Sequence, residues 1–193
     1  MLFGEIRQPK NNYLVLPKVS SQNRNYMPIA FVDSDVIVSG SALVVPNASL
    51  YEYGILQSKM HMAWMRTVCG RMKSDYQYSA TIVYNNFIWP NNFTDLLKNK
   101  VVDCANFIID LRKTFSNTTL ATLYNNSTSP ASLIKAHKDL DKIVDEAYGY
   151  KGADDDASRV AFLFKRYEEL TSLLPTATVK KKRVKKNDKD LLI

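Results

Sequence analysis

The spacing of apolar and polar positions changes several times along the chain. Short apolar runs at Tyr13–Leu16, Met27–Val32, Val36–Val38 and Ala42–Val45 are separated by polar turn residues, the signature of short strands in a small antiparallel sheet. Leu56, Met60, Ala63, Trp64 and Val68 then fall at helical spacing, and Gly70 is placed to close that helix in a left-handed cap. Beyond Gly70 the apolar residues Met72, Tyr76, Tyr78, Ala80 and Ile82 alternate with polar ones. That period of two predicts an extended segment with one polar face.

Asn85 to Asn92, with Trp89-Pro90 inside it, reads as a packed linker, since Pro restricts the residue before it and Asn favours turns. Leu97, Val101, Cys104, Ile108, Leu111 and Phe115 then form the stripe of an amphipathic helix. A second helix opens at Ser129-Pro130, a cap followed by Pro at the first helical position, buries Leu133, Ala136, Leu140, Ile143, Val144 and Ala147, and ends at Gly149. A third is led by Asp154–Asp156 and carries Val160, Leu163, Phe164, Tyr167, Leu170 and Leu174. Three such stripes are expected to pack on one another as a small bundle. The predicted class is α+β: a small, mostly antiparallel sheet with an inserted helix over 1–90, an α-helical bundle domain over 91–174, and a disordered basic tail over 175–193.

Charge divides unevenly along this frame. Residues 1–100 hold ten Lys/Arg against six Asp/Glu, 101–178 hold nine against eleven, and 179–193 hold seven against two. The basic surplus lies in the first half and the tail, where a polyanion would be met. Cys69 and Cys104 lie far apart with only His61 and His137 to join them, which suggests neither a disulfide framework nor a zinc site. No apolar run reaches the length of a membrane helix and no secretory leader opens the chain; no membrane partner and a cytoplasmic location are expected. Glycine-rich nucleotide loops, nucleophile elbows and zinc-protease motifs are all missing from the sequence. Asn85-Asn86-Phe87-Ile88-Trp89-Pro90 lacks the double proline of an adenine-methylating turn. No catalytic residue, metal ligand or cofactor site is therefore assigned in this chain.

The most suggestive run is Arg71-Met72-Lys73-Ser74-Asp75-Tyr76. Residues two apart on a strand project to the same side, about 6.6 Å apart, which would place Lys73 and Asp75 together in a groove. Lys donates to guanine O6 or N7 and Asp accepts from cytosine N4, atoms that share the major-groove edge of one base pair. The bland alternative is an exposed ion pair, which is common and weak, and the motif by itself does not choose. Arg7, Lys10, Lys18, Arg24, Lys59, Arg66 and Arg71 are candidates for phosphate contacts, with Ser20 and Ser21 as hydroxyl donors to the same backbone. His61 and His137 read as packed side chains, since neither has an evident acid-base partner. Tyr76, Tyr78, Tyr84, Phe87 and Trp89 could stack on unpaired bases, but aromatics at this spacing usually form the buried face of a sheet.

Read consecutively, Leu16-Pro17-Lys18-Val19-Ser20-Ser21, Leu50-Tyr51-Glu52-Tyr53-Gly54-Ile55-Leu56, His61-Met62-Ala63-Trp64-Met65-Arg66, Gly70-Arg71-Met72-Lys73-Ser74-Asp75-Tyr76 and Tyr84 to Pro90 resemble the target-recognition segment of the MmeI-like family. These are single-chain restriction-modification enzymes that join nuclease, adenine methyltransferase and target-recognition parts. Leu133 to His137, Val144 to Tyr150 and Arg159 to Phe164 resemble the family's C-terminal helical domain, so the resemblance runs from about Phe3 to Leu174. It implies that Lys73 and Asp75, spaced i and i+2 after the Gly-Arg turn, read a G·C pair with G on the strand the lysine addresses. It also implies a parent protein that uses S-adenosylmethionine to methylate adenine N6 after flipping the base, through residues this chain does not contain. The expected partners are double-stranded DNA and the catalytic methyltransferase domain of the parent. Two other readings stay open at this point: a scaffold that clamps the catalytic domain, and a free-standing single-strand or RNA binder.

Overall fold

The computed structural model describes residues 8–91 and 93–172. Arg7 and the basic tail, both singled out from the sequence, lie outside the described residues. The N-terminal half holds two three-stranded antiparallel sheets. In the first, β1 (Tyr13–Pro17) is central between β3 (Ala30–Val32) and β4 (Ala42–Pro46). In the second, β6 (Asp75–Gln77) is central between β2 (Val19–Ser20) and β5 (Gly70–Met72). The expected strand at Val36–Val38 is a loop. Its Val36 carbonyl accepts from the Tyr13 hydroxyl and from the Gln8 side chain, so side chains rather than a neighbouring strand satisfy it.

The single helix expected over 56–68 is two helices, α1 (Leu50–Leu56) and α2 (Lys59–Val68). The break falls at Gln57 and Ser58, polar residues buried in an apolar surround. Ser58 caps α2 and donates to the Ile55 carbonyl at 2.6 Å, while the Gln57 amide reaches the Ile29 carbonyl. Local hydrogen bonding by Ser competes with helix continuation in this way. Gly70 does not form a left-handed cap: α2 ends at Cys69 in an extended conformation and Gly70 opens β5 directly. The extended segment predicted beyond Gly70 is also different. It folds back as the β5–β6 hairpin and then enters a π-helical turn at Ala80–Tyr84, capped by Ser79.

The C-terminal helices form where their stripes predict. They are α3 (Asp95–Lys113), the short α4 (Leu120–Leu123), α5 (Ala131–Tyr148) and α6 (Asp156–Thr171). In the third stripe, however, Phe164 and Leu170 are exposed and Leu174 lies outside the described residues. Gly149 ends α5 at φ 65°, a conformation that suits glycine. Ser129 makes no cap; Pro130 holds that position with no side-chain bond. The α+β class and the helical C-terminal region match the sequence reading, but the helices find their neighbours across both halves. α3 packs on α5 and on α1, and α6 packs chiefly on α2. Gly54 permits the α1–α3 contact, because a Cβ there would stand 2.6 Å from Val101 Cγ1. Trp64 of α2 stacks against Phe164 and Tyr167 of α6 and donates to the Val83 carbonyl at 2.9 Å. One hydrophobic cluster consequently runs from Leu14 to Leu163.

Candidate nucleic-acid interface

The residues expected to read a base sit at the tip of the β5–β6 hairpin. Met72 pairs with Asp75 across the ladder, so Lys73 and Ser74 form a two-residue turn. Lys73 has φ 56°, and a positive φ at the first central residue belongs to the turns that match the twist of a hairpin. A lysine rarely adopts that conformation, so the sequence gives little warning of the turn. The premise of a continuous strand with both side chains on one face is therefore corrected: Lys73 leaves the tip and Asp75 starts the return strand. Lys73 is exposed and Asp75 half-buried, and among the described residues the two form no ion pair with each other. Arg71 braces the turn, donating to the Ser74 carbonyl at 3.1 Å while its guanidinium lies 4.2 Å over the Tyr76 ring.

Several phosphate candidates gather around this hairpin. β2 pairs with β6 at Val19↔Gln77 and Ser20↔Tyr76, which brings Ser20 and Ser21 towards Asp75, while Lys18 lies at the other end of the pairing beside Tyr78 and Arg71 on the far side of β6. Their side chains are not equally available. The Ser20 hydroxyl is buried and receives Arg24 Nη1 at 3.1 Å, and Lys18 Nζ donates to the Gly40 carbonyl at 2.7 Å. Ser21 Oγ accepts from the Asn23 amide, and Lys10 is exposed ahead of β1. Lys59 and Arg66 are on α2 and face the helical half. Lys59 pairs with Asp154 at 2.8 Å, and Arg66 pairs with Asp156 at 2.8 Å while also donating to the Arg24 carbonyl.

Sequence reading missed Gln22. Its backbone N–H donates to Asp75 Oδ1 at 3.4 Å, steadying one carboxylate oxygen and leaving the other to accept. Fifty-three residues separate the pair along the chain, and only the β2–β6 pairing makes them neighbours. The aromatic set turns inward instead of forming a stacking platform: Tyr76, Tyr78 and Phe87 are buried, and Trp89 packs on Tyr84 and Phe87. Both histidines are core residues. His61 bonds the Leu56 carbonyl and the Tyr78 hydroxyl, each at 2.9 Å, and burial depresses its pKa to about 4. His137 bonds the Gln57 carbonyl at 3.2 Å and the Tyr124 hydroxyl at 2.9 Å, and burial depresses its pKa to about 3.

A polar network lies where α2, α5 and α6 meet. Buried Asp141 accepts from the Tyr26 hydroxyl at 2.6 Å and from the Lys59 N–H at 2.7 Å, and burial lifts its pKa to about 6 against the pull of those donors. Buried Arg159 pairs with Asp145 at 2.5 Å and Asp154 at 2.9 Å. A cavity of about 370 Å³ opens here, lined by Lys59, Lys138, Asp141, Lys142, Asp145 and Arg159 among others.

The comparisons with known proteins bear on the whole of this surface. Residues 1–91 match the family described as MmeI, target recognition domain, and residues 93–175 match MmeI, C-terminal domain. The chain belongs to the MmeI family. DNA methyltransferase A of Bacillus subtilis (strain 168) is 42% identical over 169 residues, 88% of this chain and 19% of that protein. A solved structure of the Type IIL restriction-modification enzyme MmeI in complex with DNA is 43% identical. It superposes with a TM-score of 0.83 over 87% of this chain and 22% of that one. This MmeI-family chain thus spans about a fifth of the length of each relative. No helix among its described residues is long and apolar enough to cross a membrane.

Proposed function

We propose that this chain is the DNA-reading portion of an S-adenosylmethionine-dependent adenine-N6 methyltransferase, and that Lys73 and Asp75 read one G·C pair from the hairpin tip. The observation that carries the reading is the pairing of an exposed ammonium with a steadied carboxylate. Arg71 and Tyr76 fix the turn, Gln22 holds one oxygen of Asp75, and Lys73 projects beyond the sheet. An exposed donor in the turn and an acceptor on the strand that leaves it suit guanine O6/N7 and cytosine N4 on the major-groove edge. Lys18, Arg24 and Arg71 lie where they could meet the flanking phosphates, contacts that position the protein without carrying sequence information. In this reading residues 1–90 recognise the target, residues 91–174 hold that part in place, and the basic tail 175–193 adds nonspecific attraction.

The methyl donor belongs to the parent protein. The charged cavity beside α5 is lined by no aromatic or aliphatic residue that could sandwich an adenine ring. A second cavity, lined by Leu16, Leu43, Val44, Val45, Pro46, Tyr78, Ala80, Tyr84 and Asn85, has no acidic side chain for the cofactor's ribose or amino group. Neither fits S-adenosylmethionine. When bound to the parent's catalytic domain, the cofactor supplies an electrophilic methyl group for adenine N6; this chain's residues select and orient the duplex. A nuclease in the same parent would share that selection.

The test is enrichment of a randomised duplex library by the chain, repeated with Lys73 and Asp75 exchanged. The wild type should favour G·C at one position and the exchanged pair C·G, by a factor set by the roughly 1–3 kcal/mol of a good base contact. If the preference is the same in both proteins, or no duplex is bound even with the parent's catalytic part added, the proposal fails. The inward-facing aromatics weigh against a single-strand binder, which would instead favour unpaired over duplex DNA in the same assay.

A further inference from the structure

The helical half, although slightly acidic as a whole, presents a lysine row. Lys135, Lys138 and Lys142 are all exposed on α5. Their spacing of three and four places them on one face of the helix. Of the α5 carboxylates, Glu146 is exposed, while Asp141 and Asp145, which line one cavity with Lys138 and Lys142, are engaged by other groups. Asp141 is buried against Tyr26 and the Lys59 N–H, and Asp145 is bound by Arg159. Asp139 pairs with Lys142 at 3.0 Å, whereas Lys135 and Lys138 have no carboxylate within 4.0 Å among the described residues. With a rise of 1.5 Å per residue, the row covers about 10 Å. One strand of duplex DNA carries about three phosphates over that length of axis.

A continuous path of contacts ties this row to the reading hairpin. Gln22 touches Asp75, and four residues later the Tyr26 ring stacks on His137 at 4.1 Å while its hydroxyl bonds Asp141. Asn23 accepts from the Asn126 N–H just ahead of α5. His137 and Asp141 bracket Lys138 on the helix. Even fully extended, the chain from Gln22 to Tyr26 spans at most about 14 Å, close to the roughly 12 Å width of a major groove. That span is short enough for α5 to meet a strand bordering the groove that the hairpin tip enters.

We propose that the Lys135–Lys138–Lys142 face of α5 is a phosphate track, gripping the strand that borders the base pair read by the hairpin. The helical half is then a DNA-binding surface as well as a brace. This inference rests on the hairpin reading above, and its test separates the two. Binding of a duplex is followed by fluorescence anisotropy across a salt series for the wild type and for the triple variant Lys135→Gln, Lys138→Gln, Lys142→Gln. A charge-matched triple on α3, Lys98→Gln, Lys100→Gln, Lys113→Gln, serves as control. The α5 triple should lower the slope of log K against log salt by about 2–3, keep the base preference set by Lys73 and Asp75, and melt like the wild type. The α3 triple should leave the slope close to wild type. An unchanged slope in the α5 triple, or an equal drop in the α3 triple, overturns the track while leaving the hairpin reading intact. Loss of slope in the α5 triple from a wild type that has no base preference supports the track and sinks the hairpin reading. A wild type that binds no duplex overturns both.

Discussion

Acidification from pH 7 to pH 5 should destabilise this protein, because its two histidines are held neutral inside the core. The folded-state pKa of His61 is about 4 and that of His137 about 3, against about 6.5 in an unfolded chain. Between those values the unfolded chain binds protons that the folded chain refuses, so stability is present above about pH 6.5 and is lost as pH falls below it. At pH 5 each imidazole costs about 2 kcal/mol. Asp141 acts in the opposite sense. Its pKa is raised to about 6, so the folded chain binds a proton more tightly than the unfolded one as pH falls through 6. That offsets about 1 kcal/mol at pH 5. Burial raises Asp145 as well, which adds to that offset, whereas the carboxyls of Asp139, Asp154 and Asp155 are lowered by their partners and titrate below this window.

The balance is a net loss of about 2–3 kcal/mol, a large share of the roughly 5–15 kcal/mol that holds a domain together. Urea unfolding followed by tryptophan fluorescence reads it as a midpoint about 1 M lower at pH 5 than at pH 7. His137→Gln, whatever its effect at pH 7, should remove about 2 kcal/mol and so most of the pH dependence, since its amide does not titrate. A midpoint that stays level or rises between pH 7 and pH 5 would refute the reasoning, as would an unchanged dependence in the His137 variant.

Two further outcomes follow from the packing and the turn. Gly54→Ala places a methyl 2.6 Å from Val101 Cγ1 and should cost about 1–2 kcal/mol by overpacking the α1–α3 contact, read as a lower urea midpoint; a gain in stability would show that the helices separate freely there. Lys73→Gly relieves the positive φ and should raise stability by about 0.5–1 kcal/mol, after allowance for the greater freedom of glycine in the unfolded chain. The same variant should lose the G·C preference in the duplex-library assay, and a destabilised Lys73→Gly with preference intact would contradict both statements.

Long apolar stripes were legible in the sequence, and local hydrogen bonding was not. α3, α5 and α6 appear where the stripes of Leu97, Leu133 and Val160 place them, because a helix that buries one face must repeat its apolar residues at that spacing. The break between α1 and α2 escaped notice because Gln57 and Ser58 occupy an otherwise apolar register, and their partners, Ile29 and Ile55, are visible only once folded. The hairpin escaped because a period of two is the same for one long strand and for two short ones, and a lysine is a poor signal for a positive-φ turn. Gln22 and the α5 lysine row share that limitation: the β2–β6 pairing and the Tyr26–His137 stack that link them to Asp75 are long-range contacts. Lys73 and Asp75 stood out through their donor and acceptor chemistry and the family resemblance, but the strand geometry first assigned to them is not the one found.

The division between buried support and exposed tip has a consequence for specificity. Beneath the hairpin, Tyr76, Tyr78 and Phe87 are buried together with His61 and Trp64, and the contacts that fix the sheet run through these residues. Lys73 and Ser74, by contrast, are exposed at the turn. Substitutions at exposed positions usually change stability by no more than about 0.5 kcal/mol, whereas one good base contact is worth roughly 1–3 kcal/mol of discrimination. If the hairpin reads a base pair as proposed, a change at exposed Lys73 that keeps the turn should alter which base pair is favoured more than it alters the fold. In the proposed reading, exchanging side chains at the tip changes the target, provided that Arg71, Tyr76 and Gln22 continue to hold the turn and the carboxylate in place.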